Sequence, residues 1–518
     1  MLKFLDSKKT KYILLLILII LISAPYLIAY LYTPTDNIFT GFVFQTVDNF
    51  TYISKMTNAE KGFAFLNNYS LGDNYGGYHF LFYVLLGKLA LLLHIPYVLM
   101  FHLSRLVLAV IFLFVLYDLL DVLGISNIRK QNVIVCTVLF TGNFQWVSAI
   151  FSYISNVEIS NGYTCAELIP QLYLTYVPHF ILNVILLMKV LKYTVLYKDN
   201  RVKNGIIISI LLLVSALVHP FSAITFGIYS GSYILWQDII NKRASLKNFL
   251  LLLIFAIAPL PYLVYSLYAF IHYETLIEWN KQATLSLGSL DIRVFVQGVF
   301  LILPYLLILI KSNWKNDRNI LTWFLSLSIC LSFLPFGSSS RILTEGSGLY
   351  CTVLLGLLIY ENYEKINIDQ SVKVFLIFLL FFSSIWTVIE PIFLVRNVAT
   401  YISKERYEAY QYIKDNVAYN DLIFSDYNTE LLIPSYTGNR VVMGHHHESQ
   451  HFQEWIDRWV DIVRTGDLSE LQKYHIKYYL VDKKGEYPSP FKVPTKDCSI
   501  IFQNTEFILY KIDDGGSK

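Results

Sequence analysis

Long apolar runs recur through most of this 518-residue chain, and they limit its fold more than any motif does. The first run, Tyr12 to Tyr32, has about 20 residues, enough to cross the hydrocarbon core of a bilayer as a helix. With 55% hydrophobic and only 15% charged residues, the sequence predicts a polytopic α-helical membrane protein with about 11 transmembrane helices. The ten further predicted spans lie near residues 97–121, 131–152, 170–190, 204–218, 220–238, 248–270, 293–311, 319–336, 346–361 and 373–395.

The distribution of Lys and Arg gives these spans a direction. Residues 1–11 carry four Lys and no small-residue cleavage site follows the first run, so we expect a retained anchor with a cytoplasmic N-terminus. With an odd number of spans, the C-terminus then lies on the extracytoplasmic side of the cell (plasma) membrane. The pair at 204–238 is short and is also compatible with two half-helices meeting at His219 and Pro220. The cationic inner connections are 129–130, 189–203, 242–247, 311–318 and 365–373.

Two regions outside the spans are predicted to carry structure of their own. The loop 33–95 includes an apolar run from Tyr78 to Ile95, which we expect to be a helix lying in the outer interface, because counting it as a span reverses the charge asymmetry downstream. Residues 396–518 alternate apolar patches with helical patterns and predict an extracytoplasmic α/β domain. The predicted division is therefore 1–395 for the transmembrane domain and 396–518 for the outer domain.

Several polar residues are predicted to converge on the outer leaflet. Asp48 follows the first span, and Arg105 lies about 12 Å below the outer end of its own span at 1.5 Å per residue. His179 is predicted to lie equally deep. Ionisable groups in a membrane usually face a polar cavity or a partner, although helix-to-helix hydrogen bonding and snorkelling also account for single residues. The remaining members are His102, Glu167, His219 and Arg341.

The stretch Asp48-Asn-Phe-Thr-Tyr52-Ile-Ser-Lys-Met, followed by Tyr78-His-Phe-Leu-Phe-Tyr and Phe101-His-Leu-Ser-Arg105-Leu, resembles the first outer loop of the GT-C glycosyltransferases. That superfamily includes protein O-mannosyltransferases and aminoarabinose transferases. In these enzymes a D-E-x-x-Y motif follows the first span, an in-plane helix begins near K-P-P-L, and a span opens with R-L. The stretch from Phe424 to His445 is similar to the outer domain of prokaryotic membrane proteins of that superfamily.

The resemblance implies a glycosyltransferase that uses a polyprenyl-phosphate-linked sugar donor and inverts the anomeric centre. Asp48 matches the catalytic aspartate, Tyr52 the following tyrosine, and Arg105 the arginine that opens the second span. The sequence departs from the family pattern at Asn49, where a second acid is expected. It also departs at 75–78, where Tyr-Gly-Gly-Tyr replaces K-P-P-L. These departures bear on metal dependence and on the usual phosphate contact.

The residue types agree with that chemistry. An inverting transfer needs a carboxylate that accepts the proton of the acceptor hydroxyl, and Asp48 is the candidate. Cationic side chains stabilise a leaving phosphate, for which Arg105 and Arg341 are candidates, with His79, His179 and His219 as further substrate-binding residues. Glu167 and Asp48 are a candidate pair for a divalent cation such as Mg²⁺ or Mn²⁺. The acceptor is a lipid, glycan or protein, and nothing indicates nucleic acid.

Other interpretations remain open at the level of sequence. His447-Glu-Ser-Gln-His451 spells the zinc-protease motif H-E-x-x-H, but it follows Gly444 at a predicted helix start, and a surface histidine cluster is the alternative. Asp48 alone is also compatible with a solvated loop acid. A polytopic lipid or glycan transporter and a non-catalytic subunit of glycan assembly are the alternative functions.

Overall fold

The computed structural model describes residues 5–72, 77–141, 169–287, 319–332, 342, 344–365, 369–393, 399–419, 421–485 and 497–513. Helices dominate this part of the chain. The α-helices of eight or more residues are Thr10–Leu31, Thr46–Thr57, Leu81–Leu93, Tyr97–Val122, Ile128–Phe140, Pro178–Val195, Arg201–Val218, Pro220–Ile240, Leu246–Ala256, Leu260–His272, Glu274–Leu287, Asn319–Ser332, Ser347–Asn362, Gln370–Phe393, Lys404–Asn416 and Phe452–Thr465. Shorter α-helices are Pro170–Tyr176, Tyr427–Glu430, Ile433–Thr437 and Ser469–Lys473.

Seven strands occur in the described chain. They are β1 (Asn37–Phe39), β2 (Tyr401–Ser403), β3 (Leu422–Phe424), β4 (Arg440–Val441), β5 (Tyr478–Asp482), β6 (Cys498–Gln503) and β7 (Phe507–Ile512). The strands β1 and β2 pair antiparallel. The other five form one mixed sheet in the order β4-β3-β5-β7-β6, in which β3 runs parallel to β4 and β5 while β7 runs antiparallel to β5 and β6.

Several helices of the described chain meet the length and hydropathy of a membrane span. Four qualify singly: Thr10–Leu31, Tyr97–Val122, Pro178–Lys198 and Arg201–Val218. A fifth qualifies if Leu246–Ala256 and Leu260–His272, which meet at 55°, count as one bent span. The protein is therefore an α-helical membrane protein with a C-terminal sheet region, whereas the number of 11 spans stays a prediction. The predicted span 293–311 lies outside the described residues.

The predicted span 170–190 is not a single helix. The run 170–190 breaks at Val177, whose extended φ of −138° separates Pro170–Tyr176 from Pro178–Val195. Pro178 causes the break because proline restricts the residue before it to extended conformations and is itself favoured at the start of a helix. Our expectation of one continuous helix through His179 is therefore wrong, because His179 is the second residue of a new helix, whereas its depth in the membrane stays a prediction. His219, with φ of −153°, separates the helices on either side of it in the same way.

The chain divides into two compact units. The helical unit comprises Met1–Pro25, His102–Ser266 and Leu287–Glu390, and its core is built from apolar side chains such as Leu113, Val135 and Leu187. The mixed unit comprises Tyr26–Phe101, Leu267–Ser286 and Pro391–Lys518. It therefore contains the described part of the first outer loop as well as the C-terminal sheet, and each unit brings together a separate set of the polar residues singled out above.

The mixed unit joins its loop to its sheet by direct contacts. The Arg440 guanidinium donates to the carbonyl oxygens of Ser70, Leu71 and Gly72 at 2.7–3.0 Å. The run 78–95 forms the helix Leu81–Leu93, whose 13 residues extend only about 20 Å, less than the hydrocarbon thickness. The length fits the expectation that this segment does not span, and its location in the interface stays a prediction.

Candidate functional site

Asp48 lies in the first turn of the helix Thr46–Thr57, hereafter the Asp48 helix. The helix begins after Gln45, whose φ of 45° is in the left-handed region and turns the chain sharply. A carboxylate in the first turn of a helix interacts favourably with the unsatisfied N–H groups at that end. The Asp48 side chain is 48% exposed, so it can be reached by a ligand.

His445 is the partner of Asp48 within the mixed unit. Its Nε2 lies 3.4 Å from Asp48 Oδ1, and the residue is buried. The backbone N–H groups of His447 and Glu448 both donate to His445 Nδ1 at 3.2 Å. Since an imidazole nitrogen that accepts two N–H groups cannot carry a proton of its own, the proton resides on Nε2 and is donated to Asp48.

The environment of Asp48 keeps its carboxyl group ionised. Burial raises the pKa of Asp48, but the hydrogen bond from His445 and the charge of the nearby Lys55 outweigh it and hold that pKa below its usual value. The Asp48 carboxylate is thus ionised and partly exposed. His445 fixes one of its oxygens, and the other oxygen is available to a ligand.

A buried ion pair fixes the segment that carries His445. The Lys55 ammonium on the Asp48 helix contacts Glu448 Oε1, and the two side chains are 2% and 8% exposed. Lys55 Nζ also lies 4.0 Å from the centre of the Phe80 ring and 5.2 Å from that of Tyr52. Because both charges are removed from water, separating them would leave each one buried without a partner. The pair therefore fixes the segment that carries His445 against the Asp48 helix.

Glu430 fixes the same segment from the sheet side. Its buried carboxyl group accepts hydrogen bonds from the backbone N–H groups of Ser425, Val442 and Met443. Burial raises the pKa of Glu430 to about 8 despite these bonds. Gly444, which follows Met443 in the chain, lies so close to Glu430 that a Cβ atom on it would be 2.7 Å from the Glu430 carbonyl oxygen. Only glycine fits, and it leads directly into His445.

Tyr52 and His79, both predicted to bind substrate, lie in the mixed unit too. Tyr52 stacks on Tyr83 with ring centres 4.5 Å apart and an interplanar angle of 8°. His79 is buried against Phe270, and burial lowers the pKa of His79 to about 4, so its imidazole is neutral at physiological pH. A neutral His79 does not supply the positive charge we expected for a phosphate.

Arg105 lies in the helical unit and is fully buried. Its Nη1 donates to the backbone carbonyl of Ile22 at 2.9 Å and more weakly to that of Leu174 at 3.5 Å. Its Nη2 lies 3.4 Å from His102 Nδ1. The guanidinium therefore satisfies backbone carbonyls of two other helical segments, as expected for a charge within a helix bundle.

His179 and His219 meet in the helical unit around a carboxylate that the sequence analysis did not select, Glu345. Both imidazoles and Glu345 line one small pocket of about 20 Å³, room for about one water molecule. His219 Nδ1 lies 3.3 Å from Glu345 Oε1, and Asn183 Nδ2 donates to Glu345 Oε2 at 3.0 Å. The structure therefore brings together two of the predicted residues and adds a buried acid.

Arg341 and Glu167 lie outside the described residues, so their predicted roles in phosphate and metal binding stay predictions. Within the part of the chain that is described, no group of three or more His, Cys, Asp or Glu side chains is arranged to hold a metal ion. The described neighbours of Asp48 are a histidine and a lysine rather than the oxygen ligands that Mg²⁺ or Mn²⁺ prefers. The predicted divalent cation, with Glu167 as its second ligand, therefore stays a prediction.

The H-E-x-x-H segment does not form a metalloprotease site. Its residues lie in turns before the helix Phe452–Thr465, and Glu448 is engaged by Lys55. The alternative of a surface histidine cluster is wrong for His445, which is buried, while His446 and His451 are exposed. The H-E-x-x-H spacing has a structural explanation, in which Glu448 and His445 fix this turn against the Asp48 helix.

Four site residues were missed by the sequence analysis: Lys55, Glu345, Glu430 and Glu448. Lys55, Glu430 and Glu448 stood in segments already singled out, and of these only Glu448 was considered, as the acid of the H-E-x-x-H motif. A lysine inside a helix that carries the candidate base was a usable signal for Lys55. Glu345 had the weakest signal, an acid just before the apolar run 346–361, four residues after Arg341.

Comparison with known proteins identifies the fold. No family model matches this sequence, and no curated protein matches it. The crystal structure of ArnT from Cupriavidus metallidurans bound to undecaprenyl phosphate matches with a TM-score of 0.52 and 8% identity, over 97% of this chain and 98% of that one.

Two other solved structures match at the same level. The mycobacterial arabinofuranosyltransferase AftD matches with a TM-score of 0.52 and 10% identity over 98% of this chain but 40% of its own. The Archaeoglobus fulgidus oligosaccharyltransferase tethered with an acceptor peptide matches with a TM-score of 0.52 and 10% identity over 92% and 69%. At such identities the likeness establishes the fold, and this chain shares it with GT-C glycosyltransferases.

Proposed function

We propose that this protein is a membrane glycosyltransferase that moves a sugar from a polyprenyl-phosphate-linked donor to an extracytoplasmic acceptor with inversion. The shared fold supports the class. The observation that carries the mechanism is the carboxylate of Asp48, which is ionised, half-exposed and oriented by His445. The proposed enzyme is a hexosyl- or pentosyltransferase.

The reaction requires one proton acceptor and one leaving group. Asp48 takes the proton of the acceptor hydroxyl while that oxygen attacks the anomeric carbon, and the bond from that carbon to the phosphate oxygen breaks on the opposite face. The electron pair leaves with the polyprenyl phosphate. Because the low pKa of Asp48 makes it a weak base, proton transfer has to accompany bond formation rather than precede it.

His445 orients the base without exchanging its proton. Its Nδ1 is occupied by two backbone N–H groups, so Nε2 can only donate to Asp48. In a Ser-His-Asp catalytic triad the carboxylate orients the imidazole. Here the roles are exchanged, because the His445 imidazole orients the Asp48 carboxylate. Arg341 remains the proposed cation for the phosphate, with Tyr52 as a proposed substrate contact. The Arg105 guanidinium is already engaged by backbone carbonyls.

The proposed location follows the charge distribution of the sequence. The chain is proposed to cross the plasma membrane several times, with its N-terminus in the cytoplasm and residues 396–518 outside. Partners of the protein would then be the lipid bilayer, the lipid-linked donor and a lipid, glycan or protein acceptor.

The test uses purified protein in nanodiscs with a panel of labelled polyprenyl-phosphate sugars. Wild type is expected to consume at least one donor, and Asp48→Asn to lose about 10²- to 10⁴-fold of that rate, as expected for a general base. Asp36→Asn is the matched control, because Asp36 is an exposed acid of the same loop. If no donor is consumed but the lipid is bound or moved, the transporter or assembly-subunit function replaces this proposal.

A further inference from the structure

The connection 241–247 of the helical unit carries three cations, Lys242, Arg243 and Lys247, and is hereafter the basic loop. All three side chains belong to exposed residues. None of them lies within ion-pair distance of an Asp or Glu that the structure describes. The basic loop therefore presents three positive charges to its surroundings, and the proposed chemistry at Asp48 does not use them.

Lys203 adds a fourth charge from a neighbouring helix. The Arg201 guanidinium donates to the two carboxylate oxygens of Asp238 at 2.9 and 2.5 Å, so the first turn of its helix lies beside the end of the helix that precedes the basic loop. Lys203 follows two residues after Arg201, is exposed, and has no acidic partner in the described chain. Asp238 is the acid nearest to the basic loop along the sequence, and both of its oxygens are engaged by Arg201. The next acid along the sequence is Glu274.

Several other cations of the predicted inner connections are paired with acids. Lys130 Nζ lies 2.5 Å from Glu361 Oε1, and Lys192 and Lys189 contact the Asp118 carboxylate at 2.7 and 3.0 Å. A paired cation presents little net charge, whereas a group of unpaired cations creates a positive potential that attracts anions. The structure thus distinguishes the basic loop from connections that are equally cationic in sequence.

Large apolar side chains are exposed on both sides of the basic loop. Ile239 and Ile240, just before it, are 60% and 47% exposed. The helix that follows, Leu246–Ala256, has no buried residue. Four of its apolar side chains are 44–57% exposed, and they are Phe249, Leu250, Leu253 and Ile254. Exposed apolar surface of this extent next to cations is typical of the boundary between the hydrocarbon core of a bilayer and its headgroups.

We propose that the basic loop and Lys203 bind the headgroups of anionic phospholipids. The ammonium and guanidinium groups donate to phosphate oxygens, and the exposed side chains of the flanking helices contact the acyl chains. A soluble anion would use the cations but gain nothing from the apolar surface on either side, so the occupant is a lipid. Under the proposed topology these lipids belong to the inner leaflet, and only this choice of leaflet rests on the proposed function.

The test is native mass spectrometry of the full-length protein in detergent, titrated with phosphatidylglycerol or with phosphatidylcholine of the same acyl chains. We expect phosphatidylglycerol to bind wild type at least tenfold more tightly, because each cation near an anionic headgroup strengthens binding about fivefold. Lys242→Gln/Arg243→Gln/Lys247→Gln should lose this preference. Lys404→Gln/Lys414→Gln/Lys511→Gln is the matched control, because it removes the same charge from exposed lysines of the mixed unit, and it should keep the preference.

Two further measurements separate charge from local structure. Lys242→Arg/Lys247→Arg keeps the charge and should bind phosphatidylglycerol as wild type does. Raising ammonium acetate to about 1 M, where the Debye length is about 3 Å, should abolish the preference of wild type.

The proposal is overturned if wild type binds both lipids equally, if the triple glutamine variant of the basic loop keeps the preference, or if the arginine variant loses it. It is also overturned if inorganic phosphate or a polyprenyl phosphate at equal concentration displaces the bound phosphatidylglycerol. None of these measurements involves sugar transfer, so a failure of the proposed function and a failure of this lipid site are distinguishable.

Discussion

Replacing Lys55 by Met is expected to destabilise the mixed unit strongly, because it leaves the Glu448 carboxylate buried without its counter-charge. The two side chains are 2% and 8% exposed, so neither charge can recover its hydration in place. Breaking a buried ion pair by removing one partner costs about 3–5 kcal/mol. At about 2–4 °C per kcal/mol for a folded unit of 150–250 residues, Lys55→Met should lower the Tm by about 6–20 °C.

The assay is thermal unfolding of the purified protein followed by intrinsic fluorescence, with the double variant Lys55→Met/Glu448→Gln measured alongside. The double variant should recover more than half of the lost stability, because no uncompensated charge remains. Lys61→Met is the control, since Lys61 is exposed and its cation–π contact with Tyr419 contributes about 0.5–1 kcal/mol. Equal Tm shifts for Lys55→Met and Lys61→Met would refute the argument that the Lys55 pair is desolvated.

Three further variants test the segment that carries His445. Gly444→Ala should cost about 1–3 kcal/mol of stability and reduce turnover, because its Cβ would overlap the Glu430 carbonyl oxygen, whereas Gly231→Ala, with open space at its Cβ, should be tolerated. His445→Gln should retain about tenfold more activity than His445→Ala, because the glutamine amide can still donate to Asp48; in His445→Ala the acid limb of the pH–rate profile should move to higher pH. For Glu430, a folded pKa of about 8 against an unfolded value near 4.5 means that this group's contribution to stability is most favourable below about pH 4.5 and becomes less favourable until about pH 8. Denaturation across this range should show that slope in wild type and not in Glu430→Gln; an equal slope in both would contradict the assignment.

Much of the secondary structure followed from local pattern. The apolar patches 422–424, 478–481, 499–502 and 507–510 each coincide with a strand, and the helical patterns 403–417 and 453–464 coincide with helices. Apolar alternation and helical periodicity are properties of neighbouring residues, so they can be read without knowing what packs against them. The helix starts at Pro178 and Pro220 are also local, because the pyrrolidine ring restricts the residue before it. We nonetheless missed the first of these, since the hydropathy of the run 170–190 continues across the break.

The pairing of chemically important residues did not follow from local pattern. Asp48 and His445 are 397 positions apart, and so distant a contact depends on how loop and sheet pack in the mixed unit. Similarly, Glu345 meets Ser222 and Asn183 only because helices from distant parts of the chain end side by side in the helical unit.

The amino-acid sequence alone determined the membrane character, the approximate positions of the helices and strands, and Asp48 as the candidate base, because hydropathy, periodicity and a short motif are encoded by residues close together in the chain. Tertiary structure alone decided which tautomer His445 adopts, which acids are buried, and which cations balance them. Those properties depend on hydrogen-bond geometry and on exclusion of water, and both arise only when distant segments are packed against one another.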